Sequence, residues 1–292
     1  MAGQRTDLAA ESHQLWQEHA GSTTTLPGVE AWDDTREGFA VHTVSILSPT
    51  GSAALGKPEG CYITAELDGL LRREQDSFPR AVRALAGLLE SLLPQKGDAL
   101  VVGLGNRAIT PDLIGPLAAD STLVTRHLVA QLPEHFGGFR SVAALVPGVL
   151  ATTGIESGQL VQAAAQQLCP ACVIAVDALA SRSAERLCRT VQISDAGIIP
   201  GSGVGNHRMA LNRDTLGVPV IAVGVPTVVE ASTLIMDLLG KEDSTDLPGN
   251  DLFVTPREVD SRVADLGRVI GYAVSMALNP GLSVEDLDML LT

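Results

Sequence analysis

The feature that most restricts this chain is a set of short runs that are apolar at nearly every position: "DALVVGLGN" (98–106), "CVIAVDAL" (172–179) and "VPVIAVGVP" (218–226). A strand with one wet face alternates polar and apolar residues, whereas a strand covered on both faces reads as a continuous apolar stretch. "SVAALVPG" (141–148) and "TVQISDAG" (190–197) extend the set, and "VHTVSILS" (41–48) and "CYITAELD" (61–68) precede it. Helical spacing of apolar residues falls between some of these runs, over 78–93, 113–132 and 158–168. Strands alternating with helices predict an α/β fold with a mainly parallel sheet and helices on both faces. The two early runs predict extra strands in an antiparallel edge. A last helix is expected over 254–278, where Thr255, Pro256 and Glu258 have the spacing of a capping box. The polar, turn-rich stretch 240–250 reads as a loop.

Charge removes one class of function. The net charge is −14, from 34 acidic and 20 basic residues, and aromatics make up only 3%. Such a surface repels a phosphate backbone, so no direct nucleic-acid partner is expected. No apolar run reaches the roughly 20 residues that span a bilayer. The start, "MAGQRTDLAAES", lacks the basic-then-apolar pattern of a secretory signal, and a cytoplasmic location is expected.

Several motifs invite chemistry and do not sustain it. Cys169 and Cys172 form a C-x-x-C, but at the C-terminal end of the helix 158–168, where the macrodipole raises a thiol pKa instead of lowering it. Cys61 and Cys188 stand alone, so no second pair completes a metal site. The cysteines read as packing residues, and neither metal nor cofactor is expected. "PGSGVGN" (200–206) and "GLGN" (103–106) match neither a P-loop nor G-x-G-x-x-G, and read as turns where backbone approaches a ligand or another chain. No G-x-S-x-G elbow and no H-x-x-x-H pair is present, which leaves His127 and His207 as possible site neighbours at most.

In open α/β sheets, sites gather beyond the C-terminal ends of the strands. That rule selects Asn106, Arg107, Thr110 and Asp112 after the first buried run, then Asp177, then Asp195, then Thr227 and Glu230. Carboxylates at adjacent strand ends form a candidate acid–base pair. Each also has an ordinary structural role open to it. Asp112, after Thr110-Pro111, suits the first turn of a helix; Asp177 could cap a helix starting at Ala178; Asp195 suits a turn.

Seven segments in order then resemble the germination protease family of spore-forming bacteria. They are "RTDLAAE" (5–11), "GLGNRAITPDLIGP" (103–116), "VPGVLATTGIES" (146–157), "VIAVDALASR" (173–182), "TVQISDAGIIPGSGVGNHR" (190–208), "TLGVPVIAVGVPTVVEAST" (215–233) and "VTPREVD" (254–260). The resemblance implies a metal-independent endopeptidase of the aspartic class, with a core similar to that of hydrogenase maturation proteases. It carries the catalytic roles to Asp112 and Asp177; Asn106, Asp195 and Glu230, selected by the strand-end rule, stand beside them as possible site neighbours. It further implies degradation of small acid-soluble spore proteins in the spore core, and assembly as a homotetramer. Finally, it implies a precursor that cuts itself between Asp7 and Leu8, making residues 1–7 a prosegment and 8–292 a single peptidase domain. Two other readings use the same residues: a metal-assisted maturation-type peptidase with these acids as ligands, and a non-catalytic binding module.

Overall fold

The computed structural model describes residues 6–20, 25–201, 208–239 and 252–291. The loop expected over 240–250, and residues 202–206 of the glycine-rich stretch with His207, lie outside them. Among the described residues nine strands form the sheet: β1 (Val29–Arg36), β2 (Phe39–Ile46), β3 (Gly60–Glu66), β4 (Ala99–Gly103), β5 (Val142–Leu145), β6 (Cys172–Ala180), β7 (Thr190–Ser194), β8 (Val220–Glu230) and β9 (Phe253–Val254). Their order is β1-β2-β3-β7-β8-β6-β4-β5, with β9 beside β8. The run β8-β6-β4-β5 is parallel throughout. The other half, β1 to β3 and then β7, is antiparallel and joins the parallel half at β7–β8.

The continuous apolar runs are the strands buried on both faces. All five residues of β4 are buried. Leu100 and Val102 pack with Val161 and Ala165 of the helix Ser157–Leu168. Val101, facing the other way, joins Ile174, Val176 and the apolar sides of the helices Ser77–Glu90 and Val259–Leu278. The helices therefore cover both faces. Ile174 has no exposed surface, and truncating such a side chain to alanine costs about 2–5 kcal/mol. A third cluster packs Ala9, in the helix Ala9–Ala20, against Val44, Ile46 and Tyr62. Among the described residues no helix is long and apolar enough to cross a membrane.

Two expected helices are cut differently. The pattern over 113–132 breaks into Ile114–Asp120 and Arg126–Gln131. The break is anchored by Thr125, fully buried, whose hydroxyl donates to Arg140 O at 2.5 Å and accepts from Val142 N–H at 3.0 Å. The tail helix begins at Val259 instead of 254, and the capping box does not form. Thr255 Oγ1 donates to Thr227 O at 2.8 Å, so its hydroxyl serves β8 and not the helix end.

Candidate active site

Asp112 is placed by backbone packing. β4 ends at Gly103, and the chain turns through Gly105 into a short 3-10 turn, Thr110–Asp112, followed by the helix Ile114–Asp120. That helix lies directly on the strand ends: a Cβ on Gly115 would stand 2.1 Å from Leu104 O and 2.4 Å from Val176 O. Gly105 has φ +129°, and a Cβ there would stand 2.0 Å from Asp112 O. The glycines of "GLGN" thus serve close approach of backbone to backbone. Asp112 Oδ2 accepts Asn106 N–H at 2.8 Å, while Asn106 Oδ1 accepts Ala108 N–H at 3.0 Å.

Asp177 lies inside β6, which continues to Ala180 and is followed by a loop and a 3-10 turn at Ala184–Arg186. No helix starts at Ala178, so the capping role considered for Asp177 does not exist. Asp177 is 5% exposed, and its Oδ1 accepts Ala178 N–H at 2.9 Å.

Both acids line one cavity of about 450 Å³, with Asp7, Asn106 and Arg208, between apolar walls that include Leu104, Val149 and Phe253. Burial raises Asp112, opposed by the Asn106 N–H and the Arg208 charge. Burial, and after it the Asp112 charge, hold the Asp177 carboxyl well above the usual carboxylate range; Asp7 pushes the same way and Arg208 opposes. Two desolvated carboxylates in mutual range share one proton over a broad pH span. Such a pair can accept a proton from water with one member and donate one with the other.

The other expected residues divide. Thr227 joins the cavity wall as the extra residue of a β-bulge, since Leu179 pairs with Pro226 and Ala180 with Val228. Its hydroxyl is buried with no hydrogen-bond partner among the described residues. Glu230 is buried three residues beyond, where Thr233 Oγ1 donates to its Oε2 at 3.3 Å, and it does not line the cavity. Asp195 sits at the other end of the sheet. β7 runs antiparallel to β8, so its C-terminal end lies by the start of β8, and Asp195 Oδ1 accepts Cys61 N–H at 2.7 Å. Arg107 pairs with Asp120, and His127 does not line the cavity. Cys169 is exposed in a left-handed helix-ending conformation, and burial raises the Cys172 thiol. Among the described residues, no three or more His, Cys, Asp or Glu side chains are grouped to hold a metal ion.

Arg208 went unselected in the sequence because it follows a glycine-rich stretch and no apolar run leads to it. The N-terminal segment was selected as a cleavage site but not as a wall of this cavity. Its described part is held from Thr6 to Ala9. Lys57 Nζ donates to Thr6 O at 2.8 Å. Asp7 exchanges hydrogen bonds with Ala180, and Asp7 O accepts Gln192 Nε2 at 3.2 Å. Gln192 Oε1 accepts Ala9 N–H at 2.8 Å, and Leu8 is fully buried. Gln192 and Asp177 both stand level with Gly224, on opposite sides of β8. Two strand spacings, about 10 Å, therefore separate them.

The sequence profile described as "Germination protease" matches residues 6–241. The germination protease of Caldanaerobacter subterraneus subsp. tengcongensis is 40% identical, over 99% of this chain and 98% of its own length. That of Clostridium perfringens is 38% identical over 98% of both chains, and that of Bacillus cereus 43% identical over 97% of this chain and 95% of its own. A solved [NiFe] hydrogenase maturation protease from Thermococcus kodakarensis aligns with 64% of this chain and 98% of its own, at 19% identity and a TM-score of 0.35. The chain belongs to the germination protease family, and is a peptidase.

Proposed function

We propose that this peptidase is an endopeptidase of the aspartic kind that opens the degradation of small acid-soluble spore proteins in the spore core during germination. The observation that carries the reading is the placement of Asp112 and Asp177 in one cavity, each desolvated and each within electrostatic range of the other. One oxygen of each accepts a backbone N–H, which fixes the carboxylate plane. Among the described residues the second oxygen of each is left for the shared proton and a water. The ionised member takes a proton from that water as it attacks the peptide carbonyl, and the protonated member donates to the carbonyl oxygen or the leaving amine. The acid and base roles belong to the pair.

The same proposal includes a precursor of which residues 1–7 are removed by cleavage at Asp7–Leu8, leaving 8–292 as one peptidase domain that assembles as a homotetramer. In the present conformation the Asp7 carbonyl is held by Gln192, and Asp7 lines the same cavity as the dyad. Acidification favours self-processing, because the carboxylate pair needs one shared proton and lower pH raises the fraction that holds it. The test is to incubate the purified protein with one small acid-soluble spore protein, with and without a strong chelator, and to map fragments and intact masses over time. A few defined internal cuts, unchanged by the chelator, and loss of residues 1–7 faster at mildly acid pH are expected. A substrate left intact contradicts the substrate assignment, chelator-sensitive cutting the metal-free dyad, and processing at another bond the prosegment assignment.

A further inference from the structure

The N-terminal segment carries a hydrogen-bond relay that the dyad does not use. Leu8 directly precedes the helix Ala9–Ala20, and Glu11 lies three residues on. At that spacing a carboxylate reaches back to the N–H that opens the helix. Here the reach is indirect. Leu8 N–H donates to Thr6 Oγ1 at 3.0 Å, and Thr6 Oγ1 donates to Glu11 Oε2. One hydroxyl oxygen therefore stands between the Leu8 nitrogen and Glu11, a residue only 2% exposed.

Cleavage at Asp7–Leu8 alters both ends of this relay. The oxygen of water goes to the Asp7 carbonyl carbon, and the Leu8 nitrogen is released as an amine that takes up a proton. Thr6 departs with the removed segment, so the Glu11 carboxylate loses a donor and the Leu8 nitrogen loses its acceptor. The contacts that seat Leu8 do not involve residues 1–7. Its side chain is fully buried, its carbonyl accepts Ser12 N–H at 3.1 Å, and the next N–H, of Ala9, is held by Gln192 Oε1. A buried ammonium without a partner is costly, and more so at a helix N-terminus, where the macrodipole opposes a cation.

The charges around the relay leave Glu11 as the acceptor. Arg182 faces Glu18 at 3.2 Å and Asp237 at 3.5 Å. Arg186 stands between Glu66 at 3.3 Å and Glu11 at 3.6 Å. Lys57, in range of the Asp7 and Glu11 charges, donates from Nζ to Thr6 O at 2.8 Å, a bond that cleavage also removes. Glu11 further accepts Arg182 N–H at 2.7 Å and Ser183 N–H at 3.2 Å, just beyond the cavity-lining Ala180.

We propose that Glu11 is the receptor for the α-ammonium group that processing creates at Leu8: the ammonium takes the place of the Thr6 hydroxyl and pairs directly with the carboxylate. The inference rests on the processing reading above. It makes Glu11 a positioning residue of the processed form, joining the new terminus to the Arg182–Ser183 backbone beside the cavity.

The test follows the reactivity of the new amine. Full-length wild type, Glu11→Gln and Glu11→Asp are incubated until their intact masses are stable, then pulsed with acetic anhydride at several pH values. Acetylation of the Leu8 amine is read by mass spectrometry against the exposed Lys96 in the same sample. The neutral amine is the reactive form. A carboxylate partner holds the amine protonated above the usual α-amino value of about 8, whereas burial without a partner pushes it below that value. The wild-type amine should therefore titrate above about 8. At neutral pH it should react roughly 10- to 100-fold more slowly than in Glu11→Gln. Glu11→Asp, which keeps the charge on a shorter arm, should fall between the two. Should Glu11→Gln fail to fold or to process, the wild-type titration decides alone. A processed wild type whose amine titrates below about 8, or reacts as fast as in Glu11→Gln, overturns the pair and leaves the processing reading intact. A wild-type mass that never falls by residues 1–7 overturns the processing reading and the pair together.

Discussion

Substituting Gly105 by alanine perturbs the dyad without touching either carboxylate. The residue has φ +129°, a backbone conformation that L side chains rarely adopt, and its new Cβ would stand 2.0 Å from the carbonyl oxygen of Asp112. An ordinary contact requires these atoms to part by about 1 Å or more. On the far side of Asp112, the helix Ile114–Asp120 is pinned to the strand ends by Gly115, so the displacement falls on the short 3-10 turn that carries the carboxylate. A shift of about 1 Å at a reacting group is enough to cost on the order of 10²-fold in rate. Strained backbone of this kind costs roughly 1–3 kcal/mol, which in a chain of this length lowers Tm by a few degrees to about ten. The assay is kcat/KM on a spore-protein peptide, alongside Tm and circular dichroism of the same preparation. Folded protein with a rate reduced about 100-fold is expected. A Gly105→Ala protein with wild-type rate and wild-type Tm would refute the reasoning, since it would show that this contact does not set the position of Asp112.

Because burial raises Asp177 and Asp112 together, activity should trace a bell against pH. Its alkaline limb lies above the usual carboxylate range, since the shared proton is needed, and its acid limb marks the loss of the base; a flat profile would contradict a shared proton. Stability carries the same signature. The folded Asp177 binds its proton more tightly than the unfolded one, so its contribution is fully present below the unfolded pKa and is lost as pH rises through the folded value. Asp177→Asn should therefore be more thermostable than wild type at neutral pH, with a margin that shrinks on acidification; a lower Tm at every pH would contradict this. Cys169→Ala with Cys172→Ala should leave the cleavage rate unchanged and lower stability by about 1 kcal/mol through the buried Cys172, and a rate that falls with the thiols would reopen the redox reading.

What could be read from the sequence follows what is local in it. β4, β6 and β8 are legible because strands covered on both faces leave no polar positions. β1 is not, since seven of its eight residues are exposed, and only its hairpin turn at Glu37-Gly38, with both φ values positive, distinguishes it. The break between Ile114–Asp120 and Arg126–Gln131 depends on Thr125 meeting Arg140 and Val142 of another segment, which no helical period reports. The strand-end rule pointed to Asp177, which lies inside β6 because the strand runs on to Ala180, and, through the turn after β4, to Asp112. For Asp195 it failed because the rule presumes a parallel strand, and β7 runs the other way. Arg208 and Gln192 reach the cavity and the N-terminal segment only through the fold. Local spacing therefore picks out acids that follow buried apolar runs, while their counter-charge and the segment beside them are tertiary facts.

The central claim is that Asp112 and Asp177 act as one unit. The most direct measurement is kcat for cleavage of a small acid-soluble spore protein by wild type, Asp112→Asn, Asp177→Asn and the double variant, at the pH of maximal rate. Groups that act as a unit give losses that do not add. Each single variant should fall by about 10²–10⁴-fold, and the double variant should be no slower than the worse of the two. A single variant with near-normal turnover, or two losses that multiply in the double variant, would contradict the account.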